Sequence, residues 1–351
     1  MAITRIGNPA IANIREPNFR NIVINGDMSI AQRSTSVSSI TGSGYNTVDR
    51  IHLLLNSLGT WTQSQSTTVP TGQGFATSLK MDNTTADASP SSGDYCIVRT
   101  KFEGQMLQYL KKGTSSAESL TLSFWVRSNK TGTYIAELYD ADNTRNISKS
   151  YTISSADTWE KKTITYDGDT TGALDNNNAL SLSINFWLGA GTDYTSGTLA
   201  TSWASATNAN RAVGQVNLAD STSNEWYITG IQLEAGSVAT DFEFLPADVN
   251  LRRCLRYYTQ VTQNHYFAGA RANGTDSLIG GRFYTSVPLR AGPTIDAGTY
   301  LYYYGDSGNG GLTGSTTAVE YQRDDTGLSF RLNSALSGVV DNEPVIVAAN
   351  S

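Results

Sequence analysis

Alternation of apolar and polar residues dominates the middle of the chain. In the segment SLTLSFWVRS, Leu120, Leu122, Phe124 and Val126 fall on one side, and Thr121, Ser123, Trp125 and Arg127 on the other. A period of two with one apolar face predicts a half-buried strand. GTYIAELYDADNTRNISKSYTI reads as two strands joined at Asp140-Ala141-Asp142-Asn143, a cluster suited to a hairpin turn. WEKKTITYD, SLSINFWLG and EWYITGIQLE continue the series. The turn clusters between them recur at roughly the 8–12-residue spacing of sandwiches and barrels. Near the start, Ile22 and Ile24 alternate against Val23 and Asn25 ahead of the turn dipeptide Asn25-Gly26, which predicts one more strand.

One stretch breaks the pattern. In PADVNLRRCLRYYTQV, residues 246–261, Leu251, Cys254, Leu255 and Tyr258 recur at i, i+3, i+4 and i+7, and Pro246 sits where a helix tolerates it. Strand patterning resumes beyond it, with Phe283, Thr285 and Val287 set against Arg282, Tyr284 and Ser286. The expected architecture is all-β: a jelly-roll-like β-sandwich over 21–245, a short amphipathic helix over 246–262, and a smaller C-terminal β-sandwich over 263–351. Residues 1–20 carry Arg5, Arg15 and Arg20 without useful periodicity and are expected to form a docking arm.

Composition narrows the class. Charged residues are 16% of 351, below the roughly 25% of ordinary globular proteins. Lys+Arg 25 against Asp+Glu 31 leaves a net charge of −6, which argues against a nucleic-acid protein with its basic footprint. Aromatics stay at 10%, enough apolar material to argue against disorder. Two cysteines, Cys96 and Cys254, make neither a disulfide framework nor a CxxC metal site. The first residues lack the apolar stretch of a signal peptide, and no run approaches the roughly 20 apolar residues of a membrane span. An outward-facing composition without an export signal suits synthesis in a host cytoplasm and release by lysis.

Three segments have a familiar form. NIVINGDMSIAQR, FEGQMLQYLKKGTSSAESLTLSFWVRSNKTGTYIAELYD and EWYITGIQLEAGSVATDFEF resemble a module of bacteriophage tail fibres and other virion surface proteins. LRRCLRYY and the later VPLRAGPT resemble the connector and terminal domain that follow it. The Asn-Gly-Asp motif and the strand YITGIQLE also resemble the first and last strands of jelly-roll carbohydrate-binding modules. The resemblance implies a virion protein that attaches to a host-surface glycan or protein, with other virion proteins as partners and a tail appendage favoured over the capsid. It also implies a homotrimer and a structural calcium ion. Asp27 and Glu234 are the oxygen ligands it suggests; the alternative is a plain turn and an exposed strand end.

Sugar binding needs flat aromatic faces with polar groups beside them. Trp203 and Tyr194 lie in the long polar stretch between residues 190 and 217, and Trp125 and Trp187 lie in strands, where packing between sheets is the competing role. The helix stripe of Leu251, Cys254, Leu255 and Tyr258 either packs on its own sandwich or forms a three-fold seam. Catalysis finds little footing. Only His52 and His265 are present, and no GxSxG, HExxH or P-loop pattern occurs. The expectation is therefore a non-enzymatic attachment protein. Its rivals are a capsid decoration or tail-assembly subunit, and a glycan-degrading spike in which folding unites two carboxylates.

Overall fold

The computed structural model describes residues 19–259, together with 266–271, 277–284, 286–291, 300–304, 318–324, 327–333 and 344–349. Two compact units divide between Asn250 and Leu251. Among its described residues the first contains twelve strands: β1 (Ser36–Ile40), β2 (His52–Asn56), β3 (Thr60–Ser66), β4 (Ser78–Thr85), β5 (Tyr95–Glu103), β6 (Leu120–Ser128), β7 (Gly132–Asp140), β8 (Arg145–Ile153), β9 (Glu160–Tyr166), β10 (Leu180–Ala190), β11 (Ala204–Ser205) and β12 (Glu225–Ala235). They form two six-stranded antiparallel sheets. Sheet A runs β1-β3-β4-β12-β6-β9, and sheet B runs β11-β8-β7-β10-β5-β2. This is the all-β jelly-roll-like sandwich that the alternation implied.

The core lies between the sheets. From sheet A, Leu122, Phe124 and Val126 of β6 face Val98 and Phe102 of β5 and Leu182, Ile184 and Phe186 of β10. Phe124 meets Phe186 and Tyr151 edge-to-face at 5.0 and 5.1 Å, the offset geometry that aromatic quadrupoles favour. The Asp140 turn forms as its residues suggest, joining β7 to β8 with Asp140 opposite Arg145.

NIVINGD departs from expectation. It is a buried turn with no strand, and Ile22, Val23 and Ile24 are all buried whatever their parity. Asn25 and Met28 take positive φ angles of 62° and 61°, and the Asn21 carboxamide accepts from Val23 N at 3.0 Å and Leu233 N at 3.1 Å. Side-chain hydrogen bonds thus replace a strand ladder. Gly26 is required by contact: a Cβ there would sit 2.1 Å from the Ile231 carbonyl oxygen. Gly26→Ala is expected to destabilise the sandwich by about 1–3 kcal/mol, the cost typical of forced overpacking; a thermal midpoint within a degree of wild type would refute this.

The helix is shorter than the periodicity predicts, spanning Ala247–Leu255 (α2, following the one-turn α1, Thr192–Thr195). Within it, Cys254 is buried, Leu251 is 36% exposed and Leu255 is half-buried; Tyr258, also half-buried, lies beyond its end. In the second unit, β13 (Tyr266–Arg271), β14 (Ser277–Tyr284), β15 (Tyr300–Tyr304), β16 (Ala318–Asp324), β17 (Gly327–Asn333) and β18 (Pro344–Ala349) form an antiparallel sheet in the order β15-β18-β13-β14-β17-β16. Arg5, Arg15 and His265 lie outside the described residues. No described helix is long and apolar enough to cross a membrane.

Candidate glycan-binding face

The outward side of sheet B is built by strand register. Tyr139 of β7 stands opposite Ser183 of β10, which stands opposite Lys101 of β5. The next row runs Glu137, Asn185, Arg99 and His52 across four strands. Side chains of a strand alternate between faces, so these residues turn away from the core that Val98, Leu138, Ile184 and Leu53 fill. One further row, with Trp187 and Ile97 opposite one another, is roofed by residues 191–217. There Ala212, Tyr194 and Leu199 pack on Ile97, Ile135 and Trp187, and Val216 N donates to Thr133 O at 2.9 Å. Half of the face is covered. Tyr139, Arg99, Lys101 and His52 remain half-exposed on the other half, with Arg211 at the edge of the roof.

Charge organises this surface. Buried Glu137 accepts from Arg211 Nε and Nη2 at 2.7 and 2.9 Å, from Asn185 Nδ2 at 2.8 Å and from Trp187 Nε1 at 3.3 Å. A two-pronged guanidinium–carboxylate pair of this kind fixes orientation as well as contributing energy. The Arg211 guanidinium also lies 4.8 Å from the Tyr139 ring centre and 5.3 Å from that of Trp187. Burial alone would lower the Arg211 pKa; the charge and hydrogen bonds of Glu137, with smaller contributions from Tyr139 and Tyr194, together outweigh it and raise it. Arg99 Nε donates to His52 Nδ1 at 3.3 Å. Burial, with the Lys101 and Arg99 charges beside it, pushes His52 down to about 3. At neutral pH the ring is therefore uncharged, and with Nδ1 accepting, the proton sits on Nε2. Tyr45 packs edge-on against His52 at 4.7 Å and carries Lys101 Nζ 5.4 Å from its ring centre.

The residues singled out from the sequence are scattered over the fold. Trp187 is fully buried under the roof, and Tyr194 of α1 packs against it and against Tyr95 at 5.4 and 5.3 Å. Trp203 donates its indole N–H to Asp167 O at 2.7 Å, and Lys112 Nζ lies 4.6 Å from its ring centre. Trp125 is half-exposed on the outward side of sheet A, where it helps line a cavity of about 180 Å³ with Phe75, Phe242, Phe244 and Lys161. Trp125 and Trp187 thus stand on opposite outer surfaces of the sandwich. Arg20 is engaged within the sandwich, through Nε to Thr240 Oγ1 at 2.7 Å and Nη2 to Asp241 O at 2.8 Å.

Asp27 and Glu234 are each served by hydrogen-bond donors. Asp27 Oδ1 accepts from Ser29 Oγ and Asn250 Nδ2, both at 3.1 Å. Glu234 Oε1 accepts from Gln232 Nε2 at 3.0 Å and Thr240 N at 2.8 Å, and Oε2 from Thr240 Oγ1 at 2.8 Å. Asp27 Oδ1 and both Glu234 oxygens thus serve as hydrogen-bond acceptors within the fold. Among the described residues, no group of three or more His, Cys, Asp or Glu is gathered for a metal. The cation that two buried carboxylates do share is an ammonium. Lys112 Nζ pairs with Asp140 and lies 2.9 Å from Asp169 Oδ2 and 2.8 Å from Gly172 O.

Sequence reasoning passed over Arg99, Lys101, Tyr139 and Asn185. Their signal was present in YCIVRTKF, where Tyr95, Ile97, Arg99 and Lys101 alternate with Cys96, Val98, Thr100 and Phe102. What the strand alone does not reveal is which neighbours stand beside it.

No protein-family model matches the chain, and no curated protein matches its sequence. Solved structures of similar form include the enzymatically active domain of tailspike protein 4 of bacteriophage CBA120, at 15% identity and a TM-score of 0.32, covering 62% of this chain and 21% of that one. The chain thus spans about a fifth of that tailspike chain. A xylan-binding domain from Paenibacillus barcinonensis matches at 11% identity and a TM-score of 0.27, over 58% and 94% of the two chains. The family 11 carbohydrate-binding module of a Clostridium thermocellum cellulase matches at 12% identity and 0.26, over 57% and 99%.

Proposed function

We propose that this chain is a bacteriophage virion surface protein, a tail-fibre subunit, that attaches to the host by holding a glycan non-covalently on the open half of sheet B. The observation that carries the reading is the two-row surface of Tyr139, Lys101, Arg99 and His52. Its residues sit on a rigid sheet, and the Glu137–Arg211–Asn185 network beside them places the Arg211 guanidinium against Tyr139. Rigid strands preorganise a site better than loops do. Aromatic rings beside fixed N–H donors supply what a sugar needs, an apolar platform and hydroxyl partners. The module resemblance of NIVINGD and YITGIQLE supports the same reading, and the three-fold assembly it implies would give weak single sites the benefit of multivalency.

The test is a glycan array followed by titration of the intact chain. Binding is expected, with Tyr139→Ala weakening it roughly tenfold, about 1.4 kcal/mol, while the melting profile stays cooperative. Failure to retain any glycan would overturn the reading.

A second reading has its own observation. Phe19, Phe244 and Val238 are 55%, 50% and 67% exposed, and Phe19 N donates to Glu243 beside Phe244. Exposed apolar groups of this kind favour contact with another protein, as in a decoration or tail-assembly subunit. Antibody labelling of intact particles separates the two: label on tail appendages supports attachment, and label over the head supports decoration.

A further inference from the structure

We infer that the glycan held on sheet B carries an anionic substituent, a carboxylate or a phosphate, and that the Arg99 guanidinium grips it. The inference rests on the glycan reading and specifies its ligand. Arg99 stands in the second row, between His52 and Asn185. Its only side-chain hydrogen bond among the described residues is the one from Nε to His52 Nδ1, and no described carboxylate pairs with it. The carboxylate of its own row, Glu137, is saturated by Arg211, Asn185 and Trp187. Asn185, which separates them, has turned its amide toward Glu137. Among the described residues, the terminal nitrogens of Arg99 therefore form a fork without an acceptor, in a chain whose Asp+Glu outnumber Lys+Arg by 31 to 25.

The surroundings sharpen the point. Lys101 is two residues along the same strand and on the same face, and the charge of Arg211 acts on Arg99 directly. Burial, together with that like charge, lowers the Arg99 pKa, against the opposing influence of Tyr45 and Tyr95. A partly desolvated guanidinium among like charges is at a disadvantage that an incoming anion would relieve. Guanidinium presents a planar fork that matches carboxylate or phosphate oxygens two at a time. His52 sets the direction of the fork through its Nδ1 lone pair, and its own Nε2–H is a further donor on the same surface.

The experiment pairs each acidic glycan with its neutral counterpart on the intact chain. The pairs are oligogalacturonate against its methyl ester, sialyllactose against lactose, and a mannose-phosphate oligosaccharide against its dephosphorylated form. At least one acidic member is expected to bind about tenfold or more tightly than its partner, with an affinity that falls as salt rises. The first two pairs report a carboxylate and the third a phosphate. Arg99→Gln is expected to collapse the difference. Arg99→Lys, which keeps the charge and loses the fork, is expected to reduce it several-fold and serves if the glutamine variant fails to fold. Equal affinity within every pair, or an acidic preference that survives Arg99→Gln in a folded protein, overturns the inference. Neutral binding that Tyr139→Ala removes would overturn it and leave the glycan reading standing. An array with no bound glycan of either kind overturns both.

Discussion

Replacing Lys112 by Met is expected to destabilise the sandwich by about 3–5 kcal/mol, the usual result of removing one partner from a buried ion pair. The ammonium sits between the Asp140 and Asp169 carboxylates, and all three side chains are almost entirely out of solvent. Methionine fills the space of the stem and removes the charge. Arg145 would still hold Asp169, through Nε at 2.7 Å and Nη2 at 3.0 Å. Asp140 would keep only neutral donors, Asn143 N at 3.0 Å and Asn143 Nδ2 at 2.9 Å. Urea midpoints of the two proteins measure the effect, and a loss under about 1 kcal/mol would show the cluster to be energetically idle. Acid provides a second reading of the same network. Burial pushes the Asp169 carboxyl up, but hydrogen bonds from Arg145 and Lys112 outweigh it and hold the group at about 2, against 3.8 ordinarily. The unfolded chain thus binds the proton first. The stability contributed by Asp169 is complete above pH 4 and is lost as the pH falls from about 4 to about 2. In the methionine variant this acid-dependent loss is expected to be smaller.

Glu137→Ala is expected to have a comparable effect at the functional face. The carboxylate is fully buried and answers four donors. Its removal leaves Arg211, still enclosed by the Tyr139 and Trp187 rings, without a counter-ion. Stranding a charge in such a place costs about 3–5 kcal/mol, whereas an apolar pair of similar volume is often tolerated. Glu137→Met combined with Arg211→Met is therefore expected to melt well above Glu137→Ala alone, although glycan binding is lost in both because Tyr139 loses its support. A double variant no more stable than the single one would show that the loss comes from a packing defect and not from the unpaired charge. Such paired comparisons are informative because the two residues are in contact and their effects do not add.

The two networks show how far the linear chain speaks for itself. The inward side of β6 was legible because Leu120, Leu122, Phe124 and Val126 repeat with a period of two and all reach the core. Phe186-Trp187 was ambiguous, since a strand buried on one side should expose one member of the pair. Both are buried, because residues 191–217 cover the second side. That roof is polar in composition, and its few apolar contacts, Ala212, Tyr194 and Leu199, have no period to mark them. NIVINGD misled for the opposite reason. It has the alternation of a strand, yet asparagine side chains serve its backbone and a positive φ at Asn25 turns the chain. The outward rows of sheet B were out of reach of local patterns. Glu137, Asn185, Arg99 and His52 come from four strands, and only register makes them neighbours.

The same asparagines have a mechanical consequence. Asn21 Nδ2 donates to Ile231 O, Ile22 N to Leu233 O, Asn21 N to Glu243 Oε2 and Asn25 N to Asn250 Oδ1. The segment entering the sandwich is thereby laced to the segment leaving it, more than 200 residues later in the chain. A pull applied along the chain enters near residue 19 and exits near residue 250 through this lacing, in shear across several hydrogen bonds at once. The twelve strands between hang off the load path as a side loop.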